Sequence, residues 1–173
     1  MPATTAIPTA PAATAPTPQI NVKLIVPFVN AVRAVFSTMV KVPTGVQRPF
    51  LKTEAAPQYD VSSIIGFSGD VVGSLVISLH TDVAQKIVSS FAGTQIEPGS
   101  PDYADAIGEI ANMIAGAAKK DLGHAATITV PTVIFGKGHQ VARLSDVPCV
   151  VIPCSTPIGQ FVLEVNVRQV TGN

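Results

Sequence analysis

The sequence is poor in charge and in aromatic side chains. Only 13% of its 173 residues are charged, and it contains no tryptophan. Eleven basic and eleven acidic side chains give a formal net charge of zero. A protein that binds nucleic acid or an acidic membrane surface ordinarily carries a basic excess, so the composition gives no electrostatic case for either partner. The longest uninterrupted apolar runs are also far shorter than the roughly 20 residues that cross a bilayer.

Cysteine is scarce as well, with two residues in the chain. Cys149 and Cys154 lie in a strand-like run, and their odd spacing places them on opposite faces of a strand, a poor geometry for a disulfide. The three histidines are scattered and complete no zinc site with them. We therefore expect two reduced thiols in a reducing cytoplasm, and no metal or cofactor of the protein's own.

Hydrophobic residues make up 47% of the chain, which is enough for the core of one domain. The first 19 residues stand apart because they are almost entirely proline, alanine and threonine. They lack the basic start and the continuous apolar stretch of a secretory signal. We predict a disordered extended tail at residues 1–19 and one folded domain at residues 20–173.

Hydrophobic periodicity predicts long helices at residues 22–39 and 103–122 and a shorter helix at 82–91 with Thr81 as its N-cap. Residues 57–60 are expected to be a loop. Strands are predicted at residues 42–52, 62–67, 74–79, 128–135, 147–152 and 159–167. These elements predict an α+β fold in which the two long helices pack on one side of a mostly antiparallel sheet.

The second long helix has two distinct faces when it is drawn as a helical wheel. Its apolar face consists of Ile107, Ile110, Ile114 and Ala118. The opposite face carries a polar row of Asp105, Glu109, Asn112 and Gly116. A solvated helix face is one interpretation of this row and stays open. Two features argue against a solvated face. Asparagine and glycine are poor helix formers, and Gly116 has no side chain, so another surface could approach the helix there.

The pattern Asp-x-x-x-Glu-x-x-Asn at residues 105–112, followed by Met-Ile-x-Gly, resembles the signature of the CheC/CheX family of chemotaxis phosphatases. Flanking runs extend the likeness, with SGDVVGSLVIS at residues 68–78 and VPTVIFGKGH at residues 130–139. The resemblance covers nearly the whole chain, from about residue 20 to residue 167. A lone Glu-x-x-Asn would be worthless as a motif, whereas this ordered series is specific.

The resemblance implies a phosphatase that accelerates hydrolysis of the aspartyl phosphate on a CheY-like receiver domain. It implies that Asn112 orients the attacking water and that Glu109 docks against a lysine of the receiver. Asp105, Gly116 and Pro131 would support this docking, although the 18 residues between Asn112 and Pro131 are fewer than the family pattern has. Mg²⁺ is expected in the receiver domain. The resemblance also implies a homodimer whose subunits join through strands.

The chain resembles itself at offsets of 82 and 86 residues. At the longer offset, residues 60–79 match residues 146–165 in strand and turn pattern, and at the shorter one Asn30 meets Asn112. Two copies are too few for a solenoid, so we infer two pseudo-symmetric halves of one domain. For Asn30 itself, capping or packing is the preferred interpretation.

The acidic residues of the signature are absent from the first half. Lys23 occupies the position of Asp105, and Pro27 occupies that of Glu109. We therefore expect one active surface, which is closer to CheX-like than to CheC-like members. A non-enzymatic alternative stays open, in which the same face binds a phosphorylated receiver as an adaptor or a flagellar-motor component without hydrolysing it.

Overall fold

The computed structural model describes residues 19–52, 58–123, 125–142 and 147–170. The predicted tail, apart from Gln19, lies outside these residues. The described residues contain three α-helices: α1 Val22–Val35, α2 Thr81–Ala92 and α3 Pro101–Asp121. A π-helical turn, Phe36–Val40, extends α1 and ends at Lys41, whose φ of 61° is left-handed.

Eight strands form one sheet. They are β1 Gly45–Val46, β2 Phe50–Leu51, β3 Tyr59–Gly69, β4 Val71–Leu79, β5 Ala126–Ile128, β6 Thr132–His139, β7 Val150–Thr156 and β8 Gly159–Gln169. The strand order is β1-β7-β8-β4-β3-β5, with β2 also paired to β7 and β6 also paired to β3. Every strand pair among the described residues is antiparallel, which confirms the predicted α+β class.

Several predicted boundaries were wrong. Tyr59 and Asp60 belong to β3 and are not in a loop. The single strands predicted at residues 42–52 and 128–135 are each two strands with a break between them. The strand predicted at residues 147–152 starts at Val150 and continues to Thr156. In each case the strand's limits depend on the partner strand, which the local sequence does not contain.

The start of α2 was also predicted wrongly. Its N-cap is His80, and Thr81 is the first helical residue. The side chain of His80 makes no capping hydrogen bond. Instead, Asp60 of β3 accepts hydrogen bonds from the backbone N–H of Thr81 at 3.0 Å and from its hydroxyl at 3.1 Å. The orphan amide at the helix start is therefore satisfied from another element.

The core lies between the helices and one face of the sheet. Phe28 of α1 meets Phe67 of β3 edge to face, with ring centroids 5.6 Å apart. Phe36 stacks on Phe161 of β8 at 4.6 Å. All four rings are buried in one cluster with the apolar residues of all three helices. This packing fixes the helices on the sheet and leaves the outer side of α3 uncovered.

Helix α1 with its π-helical turn, Val22–Val40, is long and apolar enough to match a membrane span by length and composition. From the sequence we expected no segment of this kind, because the uninterrupted apolar runs are far shorter than a membrane span. The apolar stripe of this helix is nevertheless used inside the domain, since Leu24, Phe28, Val32 and Phe36 are all buried in the core. The same composition is typical of a core helix in a compact domain.

The two halves of the repeat exchange their outer strands. The hairpins β3–β4 and β7–β8 meet at the centre of the sheet through the pairing of β4 with β8. The first half's β1 and β2 pair with β7, and the second half's β5 and β6 pair with β3. Each half therefore completes the sheet of the other, as expected for a duplicated unit that folds as one domain.

Candidate functional site

The start of α3 is set by its first turn. Ser100 is the N-cap, and its hydroxyl oxygen accepts a hydrogen bond from the backbone N–H of Tyr103 at 3.2 Å. Pro101 is tolerated at the first helical position because it has no N–H to leave unpaired. Asp102 in the same turn is favoured by the helix dipole. The helix thus begins two residues earlier than predicted, and the polar row follows one turn later.

The two faces of α3 are arranged as the periodicity predicted. The buried face contains Ile107, Ile110, Ile114 and Ala118. On the opposite face, Asp105 and Glu109 are exposed, whereas Asn112 and Gly116 are partly buried. We expected Glu109 and Asn112 both to be solvent-exposed; Glu109 is exposed, and Asn112 is only partly so. Because α3 packs against α1 on one side and against β5 and β6 on another, its free strip is narrow.

The polar row has no partner within the described part of the chain. Asp105, Glu109 and Asn112 make no side-chain hydrogen bond or ion pair with any described residue. The Asn112 carboxamide therefore keeps both a donor and an acceptor available. Residues three apart on a helix have Cβ atoms about 5–6 Å apart, so Glu109 and Asn112 can act on one bound partner.

Pro131 lies beside this row. It forms one wall of a groove of about 640 Å³, and Asp105, Gly108 and Glu109 of α3 form the other. A Cβ atom built on Gly108 would lie 3.0 Å from Cγ of Pro131 and 3.6 Å from Cγ2 of Val133. The absence of a side chain at Gly108 is therefore what allows Pro131 to sit against α3.

Gly108 was missed by the sequence interpretation, which assigned close approach to Gly116. No atom lies within 4 Å of the Cβ position at Gly116, so that surface is open. Gly108 could have been noticed because glycine inside a helix is about 1 kcal/mol less favourable than alanine. Such a residue needs a packing reason, and here the reason is Pro131.

The break between β5 and β6 is a β-bulge. Ile128 pairs with Phe67 and Thr132 pairs with Ile64, so three residues of the outer strand oppose two of β3. Thr129 stays in register opposite Gly66 through a backbone hydrogen bond of 3.0 Å. Val130 and Pro131 are therefore the two bulged residues opposite Ile65. Because proline cannot donate to the ladder, a bulge is where it is tolerated.

The first half repeats this bulge. Val46 pairs with Cys154 and Phe50 pairs with Val151, which again leaves one extra residue on the outer strand. At the offset of 82 residues, Arg48 and Pro49 correspond to Val130 and Pro131. The bulge itself is therefore a feature of the duplicated fold and does not distinguish the two faces.

The first-half helix lacks the rest of the site. Pro27, in the place of Glu109, is buried in the core. Val26, in the place of Gly108, is 43% exposed. Asn30 is exposed, and its side chain makes no hydrogen bond with the described residues, so the suggested capping or packing role is not seen. The first half therefore has no acidic side chain at the positions of Asp105 and Glu109.

The chemistry available at this face is limited. Within the described ranges, no group of three or more histidine, cysteine, aspartate or glutamate side chains could hold a metal ion. What the face offers is two exposed carboxylates and one carboxamide on a rigid helix. A carboxylate can pair with a cationic side chain, and a carboxamide can hold a water molecule as donor and acceptor.

Comparison with known proteins places the chain in a family. A model of the family described as chemotaxis phosphatase CheX matches residues 61–155, which is more than half of the chain. The CheY-P phosphatase CheX of Thermotoga maritima is 33% identical over 87 residues, which are 48% of this chain and 56% of that protein. The match thus spans little more than half the length of this curated relative.

Solved structures extend the likeness over nearly the whole described chain. A CheC-like superfamily protein from Shewanella sp. PV-4 has a TM-score of 0.79 and 30% identity, covering 86% of this chain and 99% of that one. CheX in the CheX–CheY–BeF3–Mg²⁺ complex from Borrelia burgdorferi has a TM-score of 0.72 and 25% identity, covering 84% and 98%. By the family match and by these likenesses, this protein belongs to the CheX family of chemotaxis phosphatases.

Proposed function

We propose that the protein accelerates hydrolysis of the aspartyl phosphate on a CheY-like receiver domain. The observation that carries this proposal is the outer face of α3, where Glu109 and Asn112 lie one turn apart with no partner in the described chain. A surface that presents an unsatisfied carboxylate and carboxamide side by side is suited to a partner that brings a cation and a reacting water. Both groups are available before the partner arrives.

The relatives support the same partner and reaction. The Thermotoga maritima relative is a CheY-P phosphatase, and the Borrelia burgdorferi relative forms a complex with CheY, BeF3 and Mg²⁺. We extend both to this chain as a proposal, since neither relative tests the residues named here. In the proposed complex, Mg²⁺ is held by the receiver and neutralises charge on the phosphoryl group.

In the proposed step, water attacks phosphorus in line with the bond to the aspartyl oxygen. The P–O bond breaks, inorganic phosphate leaves, and the receiver regains its carboxylate. Asn112 accepts a hydrogen bond from the attacking water through its carbonyl oxygen and donates through its NH₂ group to a phosphoryl oxygen. A carboxamide can do both at once, and fixing the water in line lowers the entropy cost of the attack.

The neighbouring residues position the receiver. Glu109 pairs with a lysine of the receiver, and Asp105 adds a second negative charge one turn away. Pro131 forms the opposite wall of the groove. The open surface at Gly116 leaves room for the receiver's backbone. Asn112 remains the only one of these groups that acts on the reacting atoms.

We also propose a cytoplasmic homodimer. Cytoplasmic receivers are the implied substrates, and Cys149 and Cys154 are both thiols rather than a disulfide. The outer edge of β6 has no strand partner among the described residues, since β6 pairs with β3 alone. An eight-residue unpaired edge is a surface on which a second copy can continue the sheet.

The test is a panel of phosphorylated receiver domains from the same genome, each incubated with catalytic amounts of the protein. We expect faster phosphate release from at least one receiver. If one receiver binds in its BeF3-loaded form while no receiver loses phosphate faster, the adaptor alternative replaces the phosphatase. If none binds, the partner assignment is wrong.

A further inference from the structure

We propose that Val130 is an apolar contact for the phosphorylated receiver domain and that Gly108 is the positioning residue that keeps it in place. This inference rests on the proposed function and adds a recognition element to it. Val130 is 83% exposed, more than any other large hydrophobic residue in the described chain. A single exposed valine would need no explanation, but this one lies between Thr129, which is bonded to the sheet, and Pro131, which lines the acidic groove.

The first contact is with the sheet. The backbone N–H of Thr129 donates to the carbonyl oxygen of Gly66 at 3.0 Å, and the hydroxyl of Thr129 accepts from the N–H of Gly66 at 2.9 Å. A Cβ atom on Gly66 would lie 3.0 Å from Cγ2 of Thr129, so the two residues are closely packed. The residue before Val130 is therefore fixed to β3.

The second contact is with α3. Pro131, the residue after Val130, rests against Gly108 so closely that a Cβ atom there would lie 3.0 Å from Cγ of Pro131. Val130 is thus the tip of a bulge that is anchored on both sides, by the sheet and by the helix. A contact residue held in this way loses little conformational entropy on binding, so its buried area contributes more fully to affinity.

Val130, the tip of the bulge, lies next to the proposed docking site. Pro131 and Glu109 line opposite sides of the same groove, and Val130 immediately precedes Pro131. A receiver whose lysine pairs with Glu109 would lie over this groove, next to the bulge. An apolar contact next to an ion pair excludes water from that pair and strengthens it.

The repeat provides an internal comparison. The first half keeps the bulge and its proline but has Arg48 at the tip and Val26 in place of Gly108. An arginine at the tip would repel a lysine-bearing surface. The apolar tip and the glycine therefore occur in the half that has the carboxylates, and not in the other.

The experiment measures KM and kcat for a receiver that the wild-type protein dephosphorylates. Val130→Ala should raise KM about three- to tenfold, because up to two buried methyl groups are lost, while kcat stays within twofold. Val130→Ile, which keeps an apolar side chain of at least the same size, should have the wild-type KM. Arg48→Ala, which truncates the matching tip in the first half, should change neither constant.

Gly108→Ala tests the positioning role. The added methyl group would push Pro131 away by a few tenths of an ångström, so we expect a rise in KM and an unchanged kcat. A melting curve of the same variant shows whether it is folded. If Val130→Ala has the wild-type KM, or lowers kcat instead, the inference is overturned, whether or not Gly108→Ala folds. If the wild type dephosphorylates no receiver, it is the proposed function that has failed.

Discussion

Lys52 and Glu164 form an ion pair, with Nζ 2.8 Å from Oε2, on the sheet face that the helices do not cover. Glu164 alternates with the core residues Leu163 and Val165 along β8, so it points away from them. Lys52 also donates to the carbonyl oxygen of Val141 at 3.2 Å. Lys52 follows β2, Glu164 lies in the central strand β8, and Val141 follows β6. These contacts therefore join three segments of the chain.

The first prediction concerns this pair. Lys52→Met should lower the free energy of unfolding by about 2–4 kcal/mol, because it removes the described cation beside a carboxylate that has only 7% of its side chain exposed. The double variant Lys52→Met, Glu164→Leu should recover most of that loss, since no buried charge remains. Urea denaturation measures both. Equal stability of Lys52→Met and the wild type would show that the pair is unimportant.

The second prediction concerns pH. The backbone N–H of Thr81 lowers the pKa of Asp60 below its ordinary value, assisted by the N–H of Gly138 and opposed by some desolvation. A lowered pKa in the folded state stabilises the protein above the ordinary carboxyl pKa, and that stabilisation is lost as pH falls through the folded-state value. Asp60→Asn should therefore reduce the melting temperature at pH 7.

The same variant should matter much less in strong acid, because the wild-type carboxyl is protonated there. Thermal melts of both proteins from pH 7 to pH 2 provide the comparison. A gap between the two melting temperatures that stays constant over this range would mean that the charge of Asp60 does not stabilise the start of α2.

The sequence predicted the elements whose pattern is local. The 3.6-residue period of α3 gave the buried isoleucines and the exposed Asp105 and Glu109, because a helix places its own side chains. The cap of α2 was missed because Asp60 is supplied by β3, 21 residues earlier. Local sequence does not say which distant carboxylate will reach a helix start.

The groove was missed for a related reason. Pro131 was predicted inside a strand, but its position depends on register with β3 and on contact with Gly108 of another element. Neither relationship is visible from the spacing between Asn112 and Pro131. The short spacing that departs from the family pattern nevertheless leaves Pro131 beside Glu109, because the bulge turns it toward the helix.

The third prediction concerns assembly. The protein should remain a homodimer at low micromolar concentration, because the unpaired edge of β6 can continue the sheet into a second copy. Multi-angle light scattering across a dilution series measures the mass. A monomer mass at low micromolar concentration would count against strand-mediated pairing.

The fourth prediction concerns Glu109. Glu109→Ala should weaken binding of a BeF3-loaded receiver about five- to tenfold and lower phosphate release, because it removes an exposed charge partner for a lysine. The effect should shrink as salt rises, since the pair lies at the surface. Titration calorimetry at two salt concentrations measures this. An affinity that is unchanged at low salt would remove Glu109 from the docking site.

The fifth prediction concerns Asn112. Asn112→Ala should reduce stimulated phosphate release by about 10²-fold or more, because it removes the proposed water-orienting group, while receiver binding stays within about twofold. Alanine is a better helix former than asparagine by some tenths of a kcal/mol, so the melting temperature should not fall. Lost activity could then not be attributed to lost folding. The measurements are a phosphate-release time course and a thermal melt.

Asn30→Ala is the matched control, because Asn30 lies at the same place on α1 as Asn112 on α3 and is also on the outer face. Its half has Lys23 and the buried Pro27 where the second half has Asp105 and Glu109, so the substitution should leave turnover unchanged. A shared loss of activity in both variants would indicate that the two faces act together. Full activity in Asn112→Ala would remove the catalytic assignment and favour the adaptor alternative.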